Sequence, residues 1–380
     1  MPVGIEAMNA YVGRTYIDVR ELFEARKLNL ERFANLMMLE KSVNLPCEDP
    51  VTNAVNAAKP IIDKLSEEER NSIEMVITSS ESGLDFGKSL STYIHHYLGL
   101  SRHCRLFEVK QACYAGTASL QMAINYVASN VSPNAKVLVI SADVARAAAK
   151  LTYAEPSQGV ASVAMLISNK PDVFAVDFGA NGLYGFEVMD TCRPLPEIET
   201  GDPDLSLLVY MECLENSYKH YAERKPGTDF QTTFDFLAFH TPFAGLVKAS
   251  HRKMMRELKK LPPPEIEADF KKRMEPSLSY CAHVGNIYSG TVYLALAGII
   301  GTADYQDTKR VGLFSYGSGC SSEFYSGTIT PLSKQKLLDM KIMESLNTRH
   351  KLSIADYDRI LDLNAEWVFG VKDKKVDLAP

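Results

Sequence analysis

Short β-branched and apolar runs recur along this chain, and each is followed by a helical pattern of apolar residues. Strands are expected at 75–78, 136–141, 163–167, 234–239 and 310–315. Helices are expected at 51–65, 84–98, 117–128, 205–221, 246–260 and 291–300. Residues 353–369 read as a helix followed by a strand. Strands that alternate with helices bury both faces of a sheet, so the chain has to fold as layered α/β. The alternation also repeats. EMVITSSES faces FDFLAFHTPF, QACYAGTASLQMAINYVA faces HVGNIYSGTVYLALAGII, and KVLVISAD faces RVGLFSYGSG. Cys113 to Val137 is 24 residues and Asn286 to Val311 is 25. The repeat divides the chain into two similar halves, 1–170 and 171–380. The second half is longer between its first strand and its helix. The segment HRKMMRELKKLPPPEIEADFKKR fills that length and breaks at prolines 262–264.

The 380 residues are 46% hydrophobic and 23% charged, enough for large packed cores and unlike a disordered chain. A net charge of −6 supplies no basic field for nucleic acid. The longest apolar run, 292–300, is about half of the ~20 residues a bilayer span needs. MPVGIEAMNAYVG lacks the basic start and apolar core of a signal peptide, so a cytoplasmic protein is expected. Seven cysteines with no two three apart argue against a disulfide framework, a zinc ribbon or a thioredoxin-type motif.

Four side chains stand where layered α/β folds place chemistry. Cys113 lies between the run 107–109 and a helix with Leu120, Ile124 and Val127 on one face. A thiol at a helix N-terminus is expected to have a lowered pKa, and the same N–H groups can hold an oxyanion; burial as a small hydrophobe is as common. Glu81 and Asp85 follow the strand at 75–78. A desolvated carboxylate there can act as a general base, although first-turn acids often do no more than stabilise the next helix. His240 closes the strand at 234–239, where an imidazole can polarise a carbonyl or simply be satisfied in the core. Gly285-Asn286 and the loop Tyr316-Gly317-Ser318-Gly319 can offer amide and backbone donors. Lys248, Arg252, Lys253, Arg256, Lys259 and Lys260 form a basic stretch, either a solvated helix face or a contact for an acidic carrier or a pantetheine phosphate.

Taken together, ITSSESGLDFGKSL, KQACYAGTASLQMAINYV, FLAFHTPFAGLVKAS, HVGNIYSGTVYLAL and LFSYGSG resemble the 3-hydroxy-3-methylglutaryl synthase family of the thiolase superfamily. They run through most of the chain in the family's order. GIEAMNAYVGRTYIDVRELFEARKLNLERF and LMMLEKSVNLPCEDPVTNAVNAAKPIID look closer to the branch that serves polyketide β-branching than to the mevalonate enzyme. The resemblance implies a five-layered αβαβα thiolase-like fold, a homodimer, and no metal or redox cofactor. It implies that Cys113 takes an acetyl group from a carrier-protein thioester and that Glu81 makes its enolate. His240 would meet the β-ketone of a β-ketoacyl carrier protein, and water would then free a carboxylate. Tyr114, Asp143, Asp190, Lys248, Asn286 and Ser318 are the implied substrate-binding residues. Arg32, Arg252 and Arg256 are the candidate contacts for donor and acceptor acyl carrier proteins. The rival within the family is a synthase using acetyl-CoA and acetoacetyl-CoA.

Overall fold

The computed structural model describes residues 2–145, 149–195 and 198–365. Five strands of the large sheet come from the first half: β1 (Gly4–Tyr11), β2 (Ile73–Ser79), β3 (Arg105–Val109), β4 (Lys136–Val144) and β5 (Val160–Ser168). Four come from the second: β6 (Phe174–Gly185), β7 (Phe236–Phe239), β8 (Lys309–Gly317) and β9 (Ser321–Ile329). They hydrogen-bond in the order β7-β8-β9-β6-β1-β5-β4-β2-β3. Within each half the pattern is the same. β2 and β4 run parallel, β5 is antiparallel to β4 and β1, and β7, β8, β9 and β6 repeat that arrangement. The halves meet at the pairs Gly4↔Ala175 and Ile5↔Phe174. The repeat is incomplete, because among the described residues β3 has no counterpart in the second half. Its place in the order is taken by α5 (Ala244–Lys259) and the helices Pro263–Arg273 and Glu275–Val284, which break at the prolines as expected.

The remaining main helices are α1 (Pro50–Ile62), α2 (Leu90–Tyr97), α3 (Ala115–Ser129), α4 (Pro203–Arg224) and α8 (Thr291–Thr302), with α6 and α7 given to Pro263–Arg273 and Glu275–Val284. Alternation along the strands sorts them into layers, since neighbouring side chains point to opposite faces. Val76, Leu138, Ala164 and Leu166 pack outward on α1 and α2. Their neighbours Ile77, Val139, Val163 and Met165 pack inward on Leu120, Ile124 and Val127 of α3 and on α8, with Val311, Leu313 and Tyr325 of the other half on the far side. Leu237, Phe239, Phe314 and Phe324 face α4 and α5. The result is an αβαβα stack. Helix α8 is apolar around its whole circumference, with its first ten residues buried, as a helix packed between the two halves of the sheet must be.

Strands β1, β6 and β9 were not expected from the sequence, because GIEAMNAY, FAVDFGANGLYG and SSEFYSGTI dilute β-branched residues with Gly, Ala, Asn and Ser. The expected helix at 84–98 is shorter. Asp85 accepts from the N–H groups of Gly87 and Lys88 in a turn, and the helix starts after Ser89. At the end of the described chain, a helix spans Ile354–Ala365; the strand expected after it lies outside the described residues. No described helix is long and apolar enough to cross a membrane.

Candidate active site at the strand ends

A cavity of about 490 Å3 opens where the carboxyl ends of β2, β3, β7 and β8 converge, with Glu81, Cys113, His240, Asn286 and Ser318 all in its wall. This is the edge at which open α/β sheets bind ligands. The duplication gives the site its symmetry: Glu81 follows β2 as His240 follows β7, and Cys113 precedes α3 as Asn286 precedes α8. Two glycines let the halves close on one another. A Cβ on Gly116 would lie 2.4 Å from the carbonyl oxygen of Ser289, and one on Gly317 would lie 2.5 Å from those of Gln111 and the amide of Tyr114. A side chain at either position would push the nucleophile turn away from the second half.

The Cys113 thiol donates to Glu81 Oε1 at 3.4 Å. Burial pushes the Glu81 carboxyl up to about 7; the Asp143 charge adds to this, while Arg193 and the thiol hydrogen bond oppose it. Glu81 is thus poised to accept a proton near neutrality. Cys113 departs from expectation. Burial, then the Glu81 and Asp143 charges, hold its thiol well above the usual range, opposite to what a helix N-terminus alone does. The sulfur therefore rests as a thiol and needs a base beside it, which Glu81 provides. His240 is buried, its backbone N–H bonded to Phe314 O at 2.8 Å and its carbonyl accepting from Tyr210 Oη at 2.7 Å. Burial pushes the imidazole down to about 3, so it is neutral at working pH. Its Nδ1 is buried with no hydrogen-bond partner among the described residues, while the residue itself lines the cavity.

The other expected residues divide sharply. Asn286 Oδ1 accepts from Tyr288 N and Thr291 Oγ1, which fixes the amide and leaves Nδ2 as the end available to a ligand. Asp143 and Asp190 are fully buried outside the cavity wall. Asp143 accepts from the Glu81 amide at 2.7 Å and from Ser80, Ser82 and Ser289, so it anchors the loop that carries Glu81. Asp190 accepts from Tyr316 Oη and the Gly319 amide and holds the loop that carries Ser318. Tyr114 turns away from the cavity to bond Glu323 at 2.8 Å. Lys248 pairs with Glu267 outside it. Arg32, Arg252 and Arg256 are exposed. Asp85 is exposed in its turn and does not line the cavity.

Sequence reasoning passed over Arg193, although it stands three residues after Asp190 in GFEVMDTCRP. Its guanidinium lines the cavity, donates to Glu81 O at 3.0 Å, pairs with Glu199 and lies 5.5 Å from the Tyr288 ring centre. A lone Arg before a proline carries no local signal; only the fold brings it beside Glu81. Among the described residues, no three His, Cys, Asp or Glu side chains group as metal ligands do.

The models of the hydroxymethylglutaryl-coenzyme A synthase N-terminal and C-terminal regions match residues 1–172 and 256–375. PksG of Bacillus subtilis, a polyketide biosynthesis 3-hydroxy-3-methylglutaryl-ACP synthase, is 52% identical over 98% of this chain and 91% of its own. The hydroxymethylglutaryl-CoA synthase of Enterococcus faecalis is 33% identical over 94% of this chain and 91% of its own. The HMG synthase of the curacin biosynthetic pathway, solved in complex with apo donor-ACP, superposes with a TM-score of 0.97 at 54% identity over 99% of this chain and 92% of that one. The chain, with its thiolase-like fold, belongs to the hydroxymethylglutaryl-coenzyme A synthase family.

Proposed function

We propose that the chain is a 3-hydroxy-3-methylglutaryl-ACP synthase of polyketide β-branching, acting in the cytoplasm as a homodimer in which each chain comprises the two halves 1–170 and 171–380. The observation that carries the reading is the Cys113 thiol hydrogen-bonded to Glu81 in the same cavity wall as a neutral His240. Glu81 takes the thiol proton as Cys113 attacks the acetyl thioester of a donor carrier protein, and returns it to the departing pantetheine thiol. The carboxylate is then free to remove a methyl proton from acetyl-Cys113. The carbon nucleophile adds to the β-ketone of an acceptor carried on a second carrier protein, with a neutral His240 N–H and Asn286 Nδ2 as donors to the oxygen that becomes charged. Glu81 returns the methyl proton to that oxygen, and water then cleaves the thioester to Cys113 and leaves a carboxylate. No bound metal or redox group is needed for any of these steps.

Carrier protein is favoured over coenzyme A by the 52% identity to an ACP synthase against 33% to a CoA synthase. Arg32 lies on the helix Leu30–Leu36, whose Leu36 lines the cavity, and Arg252 and Arg256 lie on α5, whose Leu246 does so too. These exposed cations suit an acidic carrier protein, and Asp143, Asp190 and Tyr114 support the site from behind its wall. The alternative is a synthase taking acetyl-CoA and acetoacetyl-CoA. Incubation with acetyl-carrier protein and, separately, with acetyl-CoA distinguishes them by intact mass. Acetylation of Cys113 should be at least tenfold faster from the carrier. Equal rates would favour the CoA reading.

A further inference from the structure

The last step of the proposed reaction creates an anion in a cavity whose wall already holds two carboxylates, Glu81 and Glu199. Something must stabilise it. The cations in that wall are Lys110 and Arg193, and of these Arg193 is the one bonded to the loop that carries the base, through Glu81 O at 3.0 Å. It is mostly buried, with 13% of its side chain exposed, so its charge is little screened. Its second nitrogen, Nη2, is occupied by Glu199. Glu199 is in turn held by Gln158 Nε2 at 3.2 Å, and its side chain keeps 27% exposure. The guanidinium is thus fixed at one end by backbone, and at the other by an acid that can turn toward solvent. Glu199 also acts electrostatically on Glu81 and Cys113, which places the pair within range of the reacting sulfur.

We propose that Arg193 is a catalytic residue of the release step, exchanging Glu199 for the carboxylate that forms when the condensed acyl group leaves Cys113. This rests on the synthase reading given above. Water adds its oxygen to the acyl carbon while Glu81 accepts one of its protons. The C–S bond then breaks, Cys113 takes that proton back from Glu81, and the new acid loses its remaining proton to solvent as the carboxylate. Arg193 Nη2 offers the planar, charged donor that a developing carboxylate needs. In the resting enzyme Glu199 occupies that donor, which protects acetyl-Cys113 from being hydrolysed before the acceptor arrives.

The experiment is single-turnover intact-mass analysis with acetyl-carrier protein and acetoacetyl-carrier protein. In the wild type, an acetyl adduct followed by a heavier condensed adduct establishes the synthase reading itself, independently of Arg193. In Arg193→Gln both adducts should form, but the condensed one should accumulate and decay about a hundredfold more slowly, the size of effect seen when one oxyanion donor is removed. Arg193→Lys should recover part of that rate. In Glu199→Gln, with acetyl-carrier protein alone, acetyl-Cys113 should lose its acetyl group several-fold faster than in the wild type. Release at the wild-type rate in Arg193→Gln would overturn the proposal. So would a uniform loss of acetylation and condensation in that variant that lysine does not repair, since that marks a scaffold. An unchanged acetyl lifetime in Glu199→Gln would overturn the exchange of partners.

Discussion

Replacing Glu81 with alanine should leave Cys113 able to take an acetyl group while abolishing carbon–carbon bond formation. The two steps separate because Glu81 does different things in each. In acetylation it accepts the proton that the thiol already points at it across 3.4 Å. Removing the carboxylate takes away that acceptor, but it also removes a charge that holds the thiol pKa up, so the losses partly cancel. In condensation no such compensation exists. A methyl proton beside a thioester carbonyl needs a base in contact with it. Asp143 cannot substitute, because its oxygens are occupied by the Glu81 amide and by Ser80, Ser82 and Ser289. The loss should be about 10²–10⁴-fold. The pH profile follows with a definite sign. Burial raises the carboxyl, so the active carboxylate form grows as pH rises through neutrality, and kcat/KM should climb along an acidic limb that ends near pH 7. Following acetyl and condensed adducts separately by mass in Glu81→Ala checks the first part, and the wild-type profile checks the second.

Replacing His240 with alanine should spare acetylation and slow condensation by about 10²–10³-fold, the range for loss of one donor to a developing oxyanion. The imidazole is neutral because burial depresses it to about 3, so it acts as a dipolar donor with no net charge. Its own titration should therefore leave no inflection in the profile above pH 5. Its backbone is tied to β8 through Phe314 O and to α4 through Tyr210, so the ring is held in place while Nδ1 is left without a partner. Starting from enzyme already acetylated, rapid-quench measurement of acceptor consumption isolates this step from loading. A His240→Ala enzyme that condenses at the wild-type rate would remove the histidine from the mechanism.

The layered architecture was legible in the sequence because buried strands such as KVLVISADV and VASVAMLIS are nearly continuous runs of apolar residues, and because α8 has no polar face. Of the strands missed in the large sheet, β1, β6 and β9 carry Gly, Ser and Asn among their apolar residues, and pairing with neighbours overrides local preference there. Glu81, Cys113 and His240 could be picked out because strand ends and helix starts are marked locally. Their protonation could not. A helix N-terminus favours thiolate, and only the fold shows that desolvation and two carboxylates outweigh it at Cys113. Asp143 and Asp190 read from sequence as acids near the acyl group, and the fold puts both behind the wall as anchors for the loops that carry Glu81 and Ser318. Arg193 went unremarked for the converse reason, since its importance lies entirely in a contact 112 residues away along the chain.

In this mechanism a buried carboxylate turns a cysteine-bound acetyl group into a carbon nucleophile. That step is tested most directly by loading Cys113 with acetyl from its carrier protein in D2O, with no acceptor present, and following the mass of the adduct. Glu81 should exchange the methyl protons with solvent, so the acetyl adduct should gain deuterium in the wild-type enzyme and none in Glu81→Ala. An adduct that forms on Cys113 and keeps all its protons, while condensation proceeds normally once acceptor is added, would leave enolate formation tied to acceptor binding and contradict a base that acts on the acetyl group unaided.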